Sequence, residues 1–119
     1  MTTPTEVAVP QASRLADGES CVFTLAFQGK PREAFVLQHD GELVAFLNEC
    51  PHWAVELDLG DGHFYDVGIE RIYCKNHGAL FHPRTGVCET GPCLGRSLIR
   101  FALRRDESGV WVDPAQVLP

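Results

Sequence analysis

The sequence predicts an all-β domain, an antiparallel sandwich or partly open barrel. Two observations carry that expectation: short runs rich in β-branched and aromatic residues, and turn signals about every 8–12 residues. With 119 residues, the chain is expected to form one compact domain with its own core, and to lack room for a second, catalytic domain.

The elements follow in order. Residues 1–12 are small, polar and interrupted by Pro4 and Pro10, which reads as a flexible N-terminal arm ahead of a single domain over residues 13–119. Residues 21–27 (CVFTLAF) form the first strand, and Gln28-Gly29-Lys30-Pro31 the turn that ends it. Residues 33–38 form a second strand and residues 43–48 a third, joined through the Asp40-Gly41 hairpin signal. From Glu49 to Glu70 the chain carries Pro51, Gly60, Gly62 and Gly68 and no periodicity. Loops longer than about 12–15 residues are usually functional. Residues 71–73 and 79–81 are short strands, with a turn at 83–86 and a Gly/Pro-rich loop over 90–95. Residues 98–103 and 110–112 are the last two strands, flanking a turn at 106–109.

Composition narrows the function classes. A hydrophobic content of 45% and a charged content of 22% are those of a folded domain. No apolar run approaches the roughly 20 residues of a membrane span, and the N-terminus has neither the basic start nor the apolar stretch of a signal peptide. A cytoplasmic, non-membrane protein is expected. A net charge of −6 argues against a nucleic-acid partner, since counterion release needs a basic face. The charge is also segregated. Glu42, Glu49, Glu56, Asp58, Asp61, Asp66 and Glu70 occur with no Lys or Arg among them, and residues 71–105 hold seven bases against the single acid Glu89. Such runs are either solvated surface or a field that steers a basic partner onto the acidic half.

Five cysteines and five histidines are the unusual feature. An odd number of Cys without an export signal fits metal or redox chemistry better than a disulfide framework. Two Cys–His pairs flank the long loop: Cys50-Pro51-His52 and Cys74-Lys75-Asn76-His77, with 21 residues between His52 and Cys74. In each pair one tight turn can aim a thiolate and an imidazole at a shared centre. Two sulfurs and two nitrogens suit either a mononuclear tetrahedral zinc site or a [2Fe–2S] cluster with two Cys on one iron and two His on the other. Zinc sites favour two thiolates within one turn, whereas this chain pairs Cys with His twice, which favours the cluster.

At these residues the sequence resembles the Rieske ferredoxin family, whose signature is Cys-x-His, an intervening loop, then Cys-x₂-His. The resemblance runs over residues 15–112 and includes NECPHW (48–53), CKNHGALFHPRTG (74–86) and Gly91-Pro92. It implies a Rieske-type antiparallel β-sandwich with a small cluster-binding subdomain of two loops over residues 48–95, holding one [2Fe–2S] cluster per chain. The intervening loop is a few residues longer than in typical family ferredoxins. By the resemblance, Cys50 and Cys74 hold the iron that stays ferric, and His52 and His77 the iron that is reduced. It further implies a one-electron carrier, without catalytic residues of its own, between a reductase and a terminal oxygenase or other oxidoreductase. A small subunit of a larger reductase, or a structural Cys₂His₂ zinc module, are the competing readings. A monomer or weak oligomer is expected.

The residues around the ligands indicate the potential. High-potential members of the family have a disulfide joining the two loops, at the positions of Val55 and Asn76 here. They also carry Ser and Tyr hydroxyls where this chain has Ala79 and Phe81. Their loss implies the low end of the Rieske range, about −150 mV rather than +300 mV. Trp53 is expected to shield the cluster or fill the loop base, Gly78 to allow a tight turn or close approach, and Pro92 to belong to a third loop covering the cluster. Cys21 reads as a small core residue. Cys88 and Cys93 read as reduced packing cysteines five residues apart, near enough for a disulfide, with Cys93 possible beside the cluster. His39, His63 and His82 read as solvent-facing loop histidines.

Overall fold

The structure, a computed structural model, describes residues 6–51, 55–76 and 78–118. Among them are ten strands: β1 (Val7–Ala8), β2 (Ser20–Phe27), β3 (Lys30–His39), β4 (Glu42–Leu47), β5 (Tyr65–Asp66), β6 (Arg71–Tyr73), β7 (Leu80–Phe81), β8 (Cys88–Thr90), β9 (Arg100–Asp106) and β10 (Gly109–Leu118). A single 3₁₀ turn covers Pro10–Arg14. A six-stranded sheet runs in the order β1-β10-β9-β4-β3-β2 and a four-stranded sheet in the order β5-β6-β7-β8, with every pairing antiparallel.

Side-chain alternation along β3 and β4 explains why the two sheets pack together. Ala34 and Val36 on β3, with Ala45 and Leu47 on β4, enter one core with Leu25, Phe101, Val110 and Val112. Phe35 and Leu37, with Val44 and Phe46, point to the opposite face and enter a second core with Leu57, Phe64, Ile72 and Phe81. Both faces of these two strands are covered, so AFVL and VAFL read as continuous apolar runs instead of an alternating pattern. Phe35 stacks on Phe64 with ring centroids 3.8 Å apart and planes 8° from parallel. That contact fastens the long loop to the large sheet.

The β3–β4 hairpin uses the Asp40-Gly41 signal as expected, with φ of 53° and 84° at the two central residues, and His39 opposite Glu42. β10 is much longer than residues 110–112 alone suggest. Its register shifts between Asp113 and Val117, where Pro114 removes a donor and Asp113 Oδ1 accepts the Ala115 N–H at 3.0 Å.

The flexible arm expected over residues 1–12 gives way to ordered structure from β1 onward. Val7 and Ala8 pair with Val112 and Trp111, and Val9 and Ala12 are buried in the first core. Tertiary burial of two small apolar residues overrides the loop-like composition. β5 and β8 are also unexpected from sequence, being only two and three residues long and dependent on their partners in the small sheet.

Candidate metal centre

Cys50 emerges just after β4 and Cys74 just after β6, and each heads a loop closed by its own backbone. The Cys50 N–H donates to the Val55 carbonyl at 2.9 Å, and the Cys74 N–H to the Ala79 carbonyl at 2.9 Å. The Gly78 N–H returns to the Cys74 carbonyl at 2.8 Å. Gly78 has φ +74° and no atom within 4 Å of an added Cβ, so its role is to make this turn. The two loops are tied to each other by the Lys75 N–H donating to the Leu57 carbonyl at 2.9 Å. Cys50 and Cys74 are 2% and 0% exposed and share one apolar cluster with Ala79, Phe81, Cys88 and Cys93. His52, Trp53 and His77 lie outside the described residues.

The third loop, residues 90–95, packs onto the second. A Cβ added at Gly91, where φ is +107°, would meet the Ala79 Cα at 2.8 Å, so only glycine lets the backbones come this close. Pro92, beside it, is exposed. Arg96 Nη1 donates to the Pro51 carbonyl at 3.2 Å and fastens the third loop to the first. Val55 packs partly buried against the core and Asn76 is exposed, so the positions of a possible inter-loop disulfide hold no sulfur.

The donor set fits an iron–sulfur cluster. Two reduced cysteines stand buried at the heads of adjoining loops, in apolar surroundings that lower the local dielectric. Each closed loop also contains a histidine in its sequence.

Asn48 is the functional position that sequence reasoning passed over, although it opens the NECPHW motif. It is buried, and its side chain is fully engaged. Nδ2 donates to Glu33 Oε1 at 2.7 Å and to Asp58 Oδ1 at 3.0 Å, while Oδ1 accepts the Leu57 N–H at 2.9 Å. Asn48 thus pins the start of the first loop to its far end. A polar residue closing an apolar strand was the available signal.

Asp58 is 1% exposed, and burial works against its charge. Hydrogen bonds from Asn48 and from the Gly62 and Gly60 backbone outweigh that and hold its carboxyl below the usual aspartate range. A carboxyl depressed on folding stabilises above the unfolded pKa of about 3.9, and loses that contribution as pH falls through the folded value. Asp58→Ala should therefore cost about 1–3 kcal/mol at pH 7, since it leaves buried donors unpaired. In urea titrations the difference between variant and wild type should shrink below about pH 4. A pH-independent difference would remove the carboxylate from this account.

The charge segregation is softened by pairing. Glu49 pairs with Arg32, Asp61 with Lys75, Asp40 with Arg84, and Glu89 with Arg71. What remains beside the Cys50 loop is a carboxylate group of Glu33, Glu56 and Asp58, whose oxygens lie within 4.8 Å of one another. Glu33, then burial, then Asp58 raise the Glu56 carboxyl above its ordinary value.

The remaining cysteines and histidines divide. Cys21 sits on β2 packed against the first core, its thiol pushed up by burial against an opposing hydrogen bond from Val36. Cys93 is pushed up to about 12, first by burial, then by Cys88 and Cys50. His63 is exposed as expected. His39 departs from the solvent-facing reading: it ends β3 half-buried and edge-on to Tyr65 at 5.6 Å, its Nδ1 buried without a hydrogen-bond partner. His82 Nδ1 accepts the Arg84 and Thr85 N–H groups at 3.2 and 3.4 Å, so it shapes the turn after β7.

Two cysteine-headed loops, one after β4 of the large sheet and one after β6 of the small sheet, match the class of iron–sulfur proteins. The family model of the Rieske [2Fe-2S] domain matches residues 5–108, and the chain belongs to that family. Its cofactor is a [2Fe–2S] cluster and its activity is one-electron transfer. No curated protein matches the chain. Among solved structures it is similar to the ferredoxin of carbazole 1,9a-dioxygenase from Nocardioides aromaticivorans IC177, at 26% identity and TM-score 0.69, over 92% of this chain and 98% of that one. It is also similar to a chain in a complex of reduced oxygenase and oxidized ferredoxin in carbazole 1,9a-dioxygenase, at 24% identity and TM-score 0.72, covering 98% of this chain and 100% of that one. The terminal oxygenase of carbazole 1,9a-dioxygenase from Novosphingobium sp. KA1 shares the fold at 17% identity and TM-score 0.67, over 91% of this chain and 29% of that one. Among the described residues, no helix is long and apolar enough to cross a membrane.

Proposed function

We propose that Cys50, His52, Cys74 and His77 hold the cluster, within a binding unit over residues 48–95, and that the chain delivers single electrons from a reductase to a terminal oxygenase. The observation that carries this reading is the pair of closed loops, each headed by a buried cysteine and tied to the other through Lys75 and Leu57. When bound, the cluster supplies a centre that accepts and releases one electron. The two thiolates place negative charge at the buried end, against Ala79, Phe81 and Cys93. The imidazoles of His52 and His77 would hold the second iron, and the Gly91–Pro92 turn packs against Ala79 of the second loop. Support for an oxygenase as acceptor comes from the 26%-identical ferredoxin of a dioxygenase. All five cysteines are reduced, which fits a cytoplasmic location.

Ala79 and Phe81 offer no hydroxyl near the cysteine loops, and hydrogen bonds to cluster sulfurs raise the potential. Ala79→Ser should therefore raise the midpoint potential in a redox titration. An unchanged or lowered midpoint would show that position 79 does not address the cluster.

The exposed acids Glu33 and Glu56 flank the first loop, so a basic partner surface is drawn toward that loop. Stopped-flow transfer to an oxygenase should slow as ionic strength rises, because the Debye length falls from about 10 Å at 0.1 M to about 3 Å at 1 M. Replacing Glu33 and Glu56 by Gln should flatten that dependence. Metal analysis tests the cofactor itself: iron and acid-labile sulfide near two per chain support the reading. Stoichiometric zinc without sulfide would replace it by the interaction-module alternative.

A further inference from the structure

Two thiols outside the proposed ligand set are buried in the same apolar cluster as Cys50 and Cys74. Cys88 opens β8 and Cys93 follows the Gly91–Pro92 turn, and they are 2% and 1% exposed. Their Sγ atoms are 3.0 Å apart, about 1 Å more than the 2.05 Å of a disulfide bond. Cys93 also shares one buried apolar cluster with Cys50, which helps to push the Cys93 thiol up. Cys88 Sγ donates to the Thr90 carbonyl at 3.3 Å, and the strip that carries the pair is also closed by backbone bonds. Cys88 N–H donates to the Arg96 carbonyl at 2.7 Å, Arg96 N–H to the Cys93 carbonyl at 2.8 Å, and Gly95 N–H to the Cys88 carbonyl at 3.2 Å. The sulfur chemistry can therefore change while this frame holds. Gly91, Pro92, Leu94 and Gly95 are all exposed, so only one thin loop separates the thiols from a small oxidant in solvent.

We propose that Cys88 and Cys93 form a thiol–disulfide site that sets the potential of the neighbouring cluster through Cys50, which rests on Cys50 being a cluster ligand. In the dithiol form the Cys93 S–H, which donates to Cys88 Sγ in this structure, would turn to the Cys50 sulfur once that sulfur is a cluster ligand, and such bonds favour the reduced cluster. A peroxide is the oxidant. One thiol sulfur attacks the O–O bond, which breaks to give a sulfenic acid and one water. The second thiol sulfur displaces the hydroxyl as another water, and the S–S bond forms. Two electrons and the two thiol protons thereby pass to the peroxide oxygens. A disulfide sulfur carries no hydrogen, so the bond to Cys50 is lost and the cluster becomes harder to reduce. By linkage, a reduced cluster favours the dithiol by the same factor.

The experiment treats the cluster-loaded protein with stoichiometric hydrogen peroxide, removes the excess with catalase, and follows visible absorbance throughout. Alkylation under denaturing conditions should fall from five groups per chain to three, with residues 88 and 93 linked in peptide maps and dithiothreitol restoring all five. The midpoint potential should move negative with the linkage and return on reduction. Cys93→Ser, which keeps a hydroxyl donor but cannot close the bond, should hold its midpoint through peroxide treatment. Cys93→Ala should show the shifted midpoint without any peroxide. Five alkylations after treatment with absorbance intact, or linkage without a midpoint change, would overturn the proposal. Absence of iron–sulfur absorbance before treatment would instead overturn the cluster reading beneath it.

Discussion

Replacing Cys74, a proposed ligand, by alanine should abolish cluster assembly while leaving the fold in place. The variant should purify colourless, with iron and acid-labile sulfide at background, and with the far-ultraviolet circular dichroism of the unloaded wild type. The fold should survive because backbone bonds close this loop: the Cys74 N–H donates to the Ala79 carbonyl and the Gly78 N–H to the Cys74 carbonyl. Removing one buried sulfur leaves a cavity smaller than a methylene-rich side chain would, so the stability cost should stay below the roughly 2–5 kcal/mol of a Leu→Ala change. The cluster should not survive, because in the proposed ligand set Cys74 is one of the two cysteines and alanine supplies no donor. Cys21→Ala is the control, since Cys21 packs on the opposite core and should keep full iron content. Wild-type iron and sulfide in the Cys74 variant would remove that residue from the ligand set.

Phe64→Ala has the largest expected effect on stability. Phe64 is fully buried, stacks on Phe35 of β3, and sits in the loop that connects the two cysteine-headed turns. Truncating a buried Phe costs about 3–5 kcal/mol, against a total of about 5–15 kcal/mol for a domain of this kind. The Tyr73 N–H also donates to the Phe64 carbonyl at 3.0 Å, so a loosened residue 64 disturbs β6 and the approach to Cys74. Chemical denaturation should show the midpoint shifting down by this amount, and iron release to a chelator should accelerate in parallel. Phe64→Leu should recover most of both losses. A drop in stability without faster iron release would mean that the stacked pair supports the large sheet and not the site.

The sequence and the structure agree most closely where local chemistry decides. The Asp40-Gly41 hairpin, the β2 and β6 strands and the positions of Cys50 and Cys74 follow from residue types that leave the backbone few alternatives. Agreement ends where burial is non-local. Val7 and Ala8 carry no strand signal of their own and gain one from β10, while β5 and β8 are too short to show a period. Asn48 illustrates the same limit at the site. Its role depends on Glu33, Leu57 and Asp58, which are brought to it by the loop and by β3, and no spacing in the sequence announces that meeting. The proximity of Cys88 and Cys93 was open from their five-residue separation, but their place beside Cys50 needed the third loop folded onto Ala79.

A redox titration of the purified protein, followed by optical and EPR spectra, tests the central claim most directly, because it reads cofactor and potential together. The protein should be coloured and take up one electron per chain, with a midpoint near the low end of the Rieske range, about −150 mV. A colourless protein with no redox-active signal, or a one-electron midpoint above about +100 mV, would contradict that claim.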